Sequence, residues 1–181
     1  PSGTGTLCYV TGQGTVGGGL GDADVDGGAT TLTSPTLDAS ANLGDAYIKY
    51  TRWYSNNQGA APNSDTMPIY LSNNNGANWV VLETVTENAG QWVDKQFRIR
   101  DFVPPTSQMK VRFVAQDLGS GSIVEAGVDD VEIRYFNCEA PTVCLGDLNG
   151  DNAVNVSDLT VFLGQFGQAG ASLSGDFNAD G

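Results

Sequence analysis

Six runs of this chain alternate apolar and polar residues with a period of two: 46–54, 66–71, 79–85, 96–100, 109–115 and 128–136. Alternation sends neighbouring side chains to opposite faces of a strand, so each run has one face to bury and one to leave in water. No stretch before residue 157 has a helical period. Turn-forming clusters at 56–59, 73–76 and 119–121, together with Pro104 and Pro105, punctuate the runs. Seven or more strands with one buried face each are expected to close as two packed sheets. The expected fold is therefore all-β, a two-sheet sandwich over residues 1–137, and 181 residues suffice for one such core plus a small appendage.

The appendage has its own logic. Residues 147–158 read Asp-Leu-Asn-Gly-Asp-Asn-Ala-Val-Asn-Val-Ser-Asp. Oxygen-bearing side chains fall at loop positions 1, 3, 5, 9 and 12, the ligand spacing of an EF-hand-type loop. Asp147, Asn149, Asp151, Asn155 and Asp158, with the carbonyl of Ala153, are the expected calcium ligands. Position 6 is Asn152, the non-glycine residue that best tolerates a left-handed turn. Leu159, Phe162, Leu163 and Phe166 then follow at helical spacing, and Gly164 and Gly167 keep that helix short. Asp176, Asn178 and Asp180 begin the same pattern again before the sequence stops at Gly181.

Charge and residue usage exclude several functions. A net charge of −13 opposes nucleic acid or anionic membrane as a partner and suits a protein that handles divalent cations. Histidine is absent, which removes histidine general bases, Ser-His-Asp and Cys-His systems and the commonest zinc ligand. No carboxylate pair is marked out for hydrolysis, so no enzyme is expected. No apolar run has the length of a membrane span, and no membrane insertion is expected. Pro1 opens no signal-peptide pattern, and the chain reads as a mature or excised piece. Cys8, Cys138 and Cys144 allow one disulfide: Cys138 with Cys144 as a local staple, or Cys8 with Cys138 across the ends of the larger domain. Either implies an oxidising, extracellular setting.

Two resemblances add to this. The calcium loop, its helix and the partial repeat, with Gly-Asp-Leu-Asn-Gly-Asp at the start, resemble a type I dockerin over residues 145–181, with the second repeat truncated. That resemblance implies calcium-coupled folding and docking onto a cohesin-like domain through loop positions 10 and 11, here Val156 and Ser157. The segments Thr-Thr-Leu-Thr-Ser-Pro-Thr-Leu-Asp at 30–38, Tyr-Ile-Lys-Tyr-Thr-Arg-Trp-Tyr at 47–54, the hairpin at 72–79 and Val-Asp-Asp-Val-Glu-Ile at 128–133 resemble bacterial jelly-roll accessory domains of MAM or carbohydrate-binding type. Such modules hold a structural calcium between an early acidic loop and the last strand, which implies a site from Asp24, Asp26 and Asp130; the alternative is a solvated loop. Strand parity decides which of Asp129 and Asp130 faces inward, and the sequence does not fix it; Asp65 and Asp117 are weaker candidates. Residues 72–79 also resemble an Asp-box with Asn74 in place of aspartate, but the motif occurs once, and turn chemistry explains it.

Trp53, Tyr54, Trp79 and Trp92 are the aromatic candidates for a sugar platform, against the simpler expectation that they fill the core. Taken together, the chain reads as a secreted, non-catalytic bacterial protein: a jelly-roll module over 1–137, a Cys-flanked hinge over 138–144 and a calcium-dependent, dockerin-like segment over 145–181. Its expected job is extracellular attachment or assembly, with a cohesin-like domain or copies of itself as partner. The rivals are a self-assembling filament or surface-layer subunit, and a carbohydrate-binding or other accessory module of a secreted hydrolase or peptidase that takes polysaccharide.

Overall fold

The computed structural model describes residues 5–41, 43–136, 146–151 and 153–168. The chain divides into two compact units, Pro1–Asn137 and Cys138–Gly181.

The first unit is a jelly-roll β-sandwich. Its strands are β1 (Tyr9–Val10), β2 (Gly28–Thr33), β3 (Asp45–Gly59), β4 (Met67–Ser72), β5 (Val80–Val85), β6 (Val93–Arg98), β7 (Lys110–Asp117) and β8 (Ser122–Phe136). They form two four-stranded sheets, β1-β8-β3-β6 and β2-β7-β4-β5, and every pairing is antiparallel. Apart from the β4–β5 hairpin, each connection carries the chain from one sheet to the other, so both sheets are built from strands distant in sequence. Ala46, Ile48, Tyr50 and Tyr54 on β3 face Met67, Ile69 and Leu71 on β4 and Val111, Phe113 and Ala115 on β7 across the buried core. The Tyr50 and Phe113 rings meet edge to face at 5.1 Å, linking the two sheets.

Two strands differ from expectation. The run at 96–100 is strand only to Arg98, because Ile99–Asp101 forms a 3-10 turn ahead of Pro104 and Pro105. β8 begins at Ser122, six residues before the alternation becomes legible, because β3 supplies its hydrogen bonds whatever its side-chain pattern. Within β8, Asp130 has φ 51°, and the register with β3 slips between Lys49 and Thr51. Asp130 and Val131 together oppose one residue, a bulge that resets which side chains face inward beyond it.

The core carries one buried cation. Arg52 is fully buried. Its Nη2 donates to Glu83 Oε1 at 2.6 Å and to Glu87 Oε1 at 2.5 Å, its Nε donates to Glu83 Oε2, and the Tyr50 hydroxyl donates to the same oxygen at 2.7 Å. At one end of the sandwich Asp65 accepts from the Leu118 amide at 2.8 Å and from the hydroxyls of Ser64 and Ser122, which fastens the β7–β8 turn. Burial pushes the Asp65 carboxyl up, but these donors together hold it below the ordinary carboxylate value.

In the second unit α1 spans Val156–Gln165. Asn155 caps it, its Oδ1 accepting from the Ser157 amide at 2.8 Å, while Asp158 Oδ2 accepts from the Asn155 amide at 2.8 Å.

Candidate metal centre and aromatic faces

The loop before α1 is held by its own side chains. Asp147 Oδ1 accepts from the amides of Gly150 and Asp151 at 2.8 and 3.1 Å, and Asn149 Oδ1 from the Asp151 amide at 2.9 Å. Asp151 Oδ1 accepts from the Ala153 amide at 2.9 Å, and Asp151 Oδ2 from Asn149 Nδ2 at 2.9 Å. Asp158, only 3% exposed, reaches back from the helix so that its Oδ1 accepts from the amides of Leu148 and Asn149 at 2.8 and 3.2 Å. One side chain thus ties the start of the loop to the start of the helix.

Ligand atoms of Asp147, Asp151 and Asp158 lie within 4.8 Å of one another. Three carboxylates at that spacing repel, and an all-oxygen donor set matches a hard cation such as calcium, which takes six to eight oxygens. The Asn155 amide, with those of Asn149 and Leu148, outweighs burial and holds the Asp158 carboxyl below its ordinary range, so it stays ionised. Asn149, Asn155 and the Ala153 carbonyl stand in the same loop, with Asn155 Nδ2 donating to Ala153 O at 3.3 Å. Val156 and Ser157 are both exposed at the helix start. Asn152, Cys138, Cys144, Asp176, Asn178 and Asp180 lie outside the described residues. Cys8 is exposed with a free thiol.

The structure does not bring Asp130 to the early acidic loop. The Val25 amide donates to Val124 O at 2.8 Å, which pins that loop to the start of β8. Asp130 lies six residues further along the strand, about 20 Å away at 3.3 Å per residue. The residue that meets the loop is Asp117, at the end of β7, whose Oδ2 accepts from the Gly27 amide at 3.0 Å. Among the described residues, Asp147, Asp151 and Asp158 form the one group of three acids close enough to share an ion.

The aromatic candidates divide. Tyr54 is buried in the core, 1% exposed, whereas Trp53, Trp79 and Trp92 are half-buried on outer faces. On the β1-β8-β3-β6 sheet, Trp53 stands opposite Gly127, and the Trp92 ring lies on Gly127. A Cβ added at Gly127 would come within 2.7 Å of that ring. Gly127→Ala is expected to lift the Trp92 ring, costing about 1–3 kcal/mol of stability and shifting tryptophan emission to the red. Urea unfolding followed by fluorescence checks this, and an unchanged spectrum would show that the ring is not seated there.

On the other sheet, Thr33, Arg112 and Tyr70 form one row on the outer face. The Arg112 guanidinium lies 4.4 Å from the Trp79 ring centroid and 4.8 Å from that of Tyr70. The hairpin that delivers Trp79 is turn chemistry, as expected. Ser72 Oγ accepts from the Gly76 amide at 2.9 Å, Asn74 Oδ1 accepts from the Asn78 amide at 2.9 Å, and Asn75 and Gly76 take positive φ of 56° and 90°. Sequence reasoning missed Gly127 and Arg112, because cross-strand register alone gives them their neighbours.

No known family matches the sequence, and no curated protein matches it. Solved structures show distant likenesses. The cleaved adhesin domain of Lys-gingipain from Porphyromonas gingivalis is 22% identical, with 66% of this chain and 70% of that one covered and a TM-score of 0.41. A family 61 carbohydrate-binding module in complex with β-1,4-galactotriose is 13% identical, with 60% of this chain covered and a TM-score of 0.37. The chain spans 62% of the length of that module. A family 28 module specific for non-crystalline cellulose is 14% identical, with 60% of this chain and 75% of that one covered and a TM-score of 0.35.

Proposed function

We propose that this chain is a secreted, non-catalytic accessory protein whose β-sandwich binds carbohydrate and whose loop–helix tail folds on calcium. The observation that carries the carbohydrate reading is the placing of Trp53, Trp79 and Trp92 on the outer sheet faces, partly exposed beside polar side chains, instead of in the inter-sheet core. Large amphipathic rings on an outer sheet face suit the alternating apolar and hydroxylic surface of a sugar chain. The test is affinity electrophoresis of the intact chain through gels containing soluble polysaccharides, with Trp53→Ala, Trp79→Ala and Trp92→Ala alongside. Retardation by at least one glycan, lost in at least one variant, is expected; free migration in every gel would end the reading.

A second activity is favoured by the carboxylate triad of Asp147, Asp151 and Asp158. Calcium bound there orders α1, whose Val156, Leu159 and Leu163 are exposed together with Phe166 just beyond its end. Calcium would cancel the repulsion in the loop, and the ordered helix would present its apolar stripe to a partner, a cohesin-like domain or another copy of the chain. Light scattering with calcium and then with excess chelator separates the two: calcium-dependent assemblies mean self-association, and a monomer in both conditions means a different partner.

A further inference from the structure

The described residues include all eight lysine and arginine side chains of a chain whose net charge is −13. Six of them form ion pairs: Lys49, Arg52, Lys95, Arg98, Arg100 and Arg134. Among the described residues the two without a carboxylate partner are Lys110 and Arg112. They are two residues apart on β7, in the half-buried set that alternates with the core residues Val111 and Phe113, so they share the outer face. Along the strand they stand about 7 Å apart.

Arg112 is held in place without an acceptor. Trp79 and Tyr70 flank its guanidinium at 4.4 and 4.8 Å from their ring centroids, while its Nε is buried and has no hydrogen-bond partner. On so acidic a chain a carboxylate partner for an arginine is ordinary, and here none of the described carboxylates supplies one. Lys110 is opposite Ser72 in the neighbouring strand, at the base of the hairpin that supplies Trp79, and its side chain passes near Gly76. The sheet therefore presents a pre-oriented guanidinium with a lysine two residues away on the same face.

We propose that this face binds an acidic saccharide, with Arg112 taking a carboxylate or sulfate group and Lys110 supplying the second positive charge. The proposal rests on the carbohydrate reading above and adds the charge of the sugar. A planar guanidinium matches both anions with paired hydrogen bonds, which a lysine cannot do. The net charge of the chain repels a densely charged polymer at long range, so the ligand is an oligosaccharide held by short-range bonds at a few acidic groups.

Titration calorimetry of the intact chain in calcium-containing buffer tests this with three probes: an oligogalacturonate, its full methyl ester and a sulfated galactan oligomer. One of the two acidic probes is expected to bind at least about tenfold more tightly than the ester, and which one identifies the anion. Arg112→Gln and Lys110→Gln are each expected to remove that preference, Lys110→Gln without lowering the thermal midpoint and Arg112→Gln with the chain still folded at the assay temperature, and Arg112→Lys to restore only part of it. Equal binding of ester and acid would overturn the charge claim and leave the carbohydrate reading standing. Failure of all three probes, in a chain that neutral glycans still retard, would also overturn the charge claim alone. Binding of a glutamate-rich peptide in place of any sugar would overturn both.

Discussion

In excess chelator the resonances of residues 147–166 are expected to collapse to unfolded positions while those of the sandwich stay dispersed, and Asp158→Ala is expected to do the same in the presence of calcium. Asp158 has two duties. Its Oδ1 accepts from the Leu148 and Asn149 amides at the start of the loop, and its Oδ2 accepts from the Asn155 amide at the start of α1. The same carboxylate stands within 4.8 Å of ligand atoms of Asp147 and Asp151. Losing it removes a charge from the cation site and the joint between loop and helix together. The affinity loss is expected to exceed the roughly 10–100-fold that removal of an outer-shell partner costs. Asp158→Asn separates the duties, since an amide oxygen still accepts from the backbone but carries no charge. It is expected to keep part of the helix cap and to lose calcium binding by calorimetry. A tail that stays ordered in chelator would sink the calcium account.

Arg52→Ala is expected to cost the sandwich about 3–5 kcal/mol, read as a fall in the urea midpoint. Arg52 is fully buried and Glu83 nearly so, with side-chain exposures of 0% and 12%. Removing the arginine leaves Glu83 with only Lys95 and the Tyr50 hydroxyl, and the loss of an ion partner inside a protein costs far more than the net worth of the pair. Arg52→Met combined with Glu83→Gln is expected to recover a large part of the loss, because neither replacement leaves a buried charge. The pH dependence follows from Glu83. Burial pushes its carboxyl up, but Arg52, Tyr50 and Lys95 together hold it below the ordinary glutamate range. A carboxylate with a depressed folded-state value contributes stability that is fully present above its unfolded value, about 4.3, and is lost as the pH falls through the folded value. The gap between wild type and Arg52→Ala is therefore expected to narrow as the pH is lowered past 4. A cost under about 1 kcal/mol at neutral pH, the range of an exposed ion pair, would mean that Glu83 is resolvated in the variant.

The strands that announced themselves were those with one deeply buried face. β3 reads at sight because Ile48, Tyr50 and Tyr54 alternate with polar neighbours. β2 does not, because it lies at a sheet edge and buries no residue fully, leaving a run of threonines with no apolar signature. The 147–158 acidic loop was legible for a different reason. Its oxygen-bearing side chains come from twelve consecutive residues, so their spacing in sequence goes far to set their geometry, and Asp147, Asp151 and Asp158 do converge. The expected site of Asp24, Asp26 and Asp130 needed two distant segments to meet, and the bond from Val25 to Val124 puts the early loop at the start of β8, six residues before Asp130.

Sequence alone therefore determined what depends on neighbours along the chain: the all-β class, the acidic 147–158 loop and the short helix behind it. Tertiary structure alone decided which residues from separate strands share a surface: Trp92 on Gly127, Arg112 between Trp79 and Tyr70, and the burial of Arg52 against Glu83. The physical reason lies in register. A slip of one residue in any pairing would turn those side chains to the opposite face, and register is set by packing two whole sheets together and by a bulge at Asp130 that no local pattern announces.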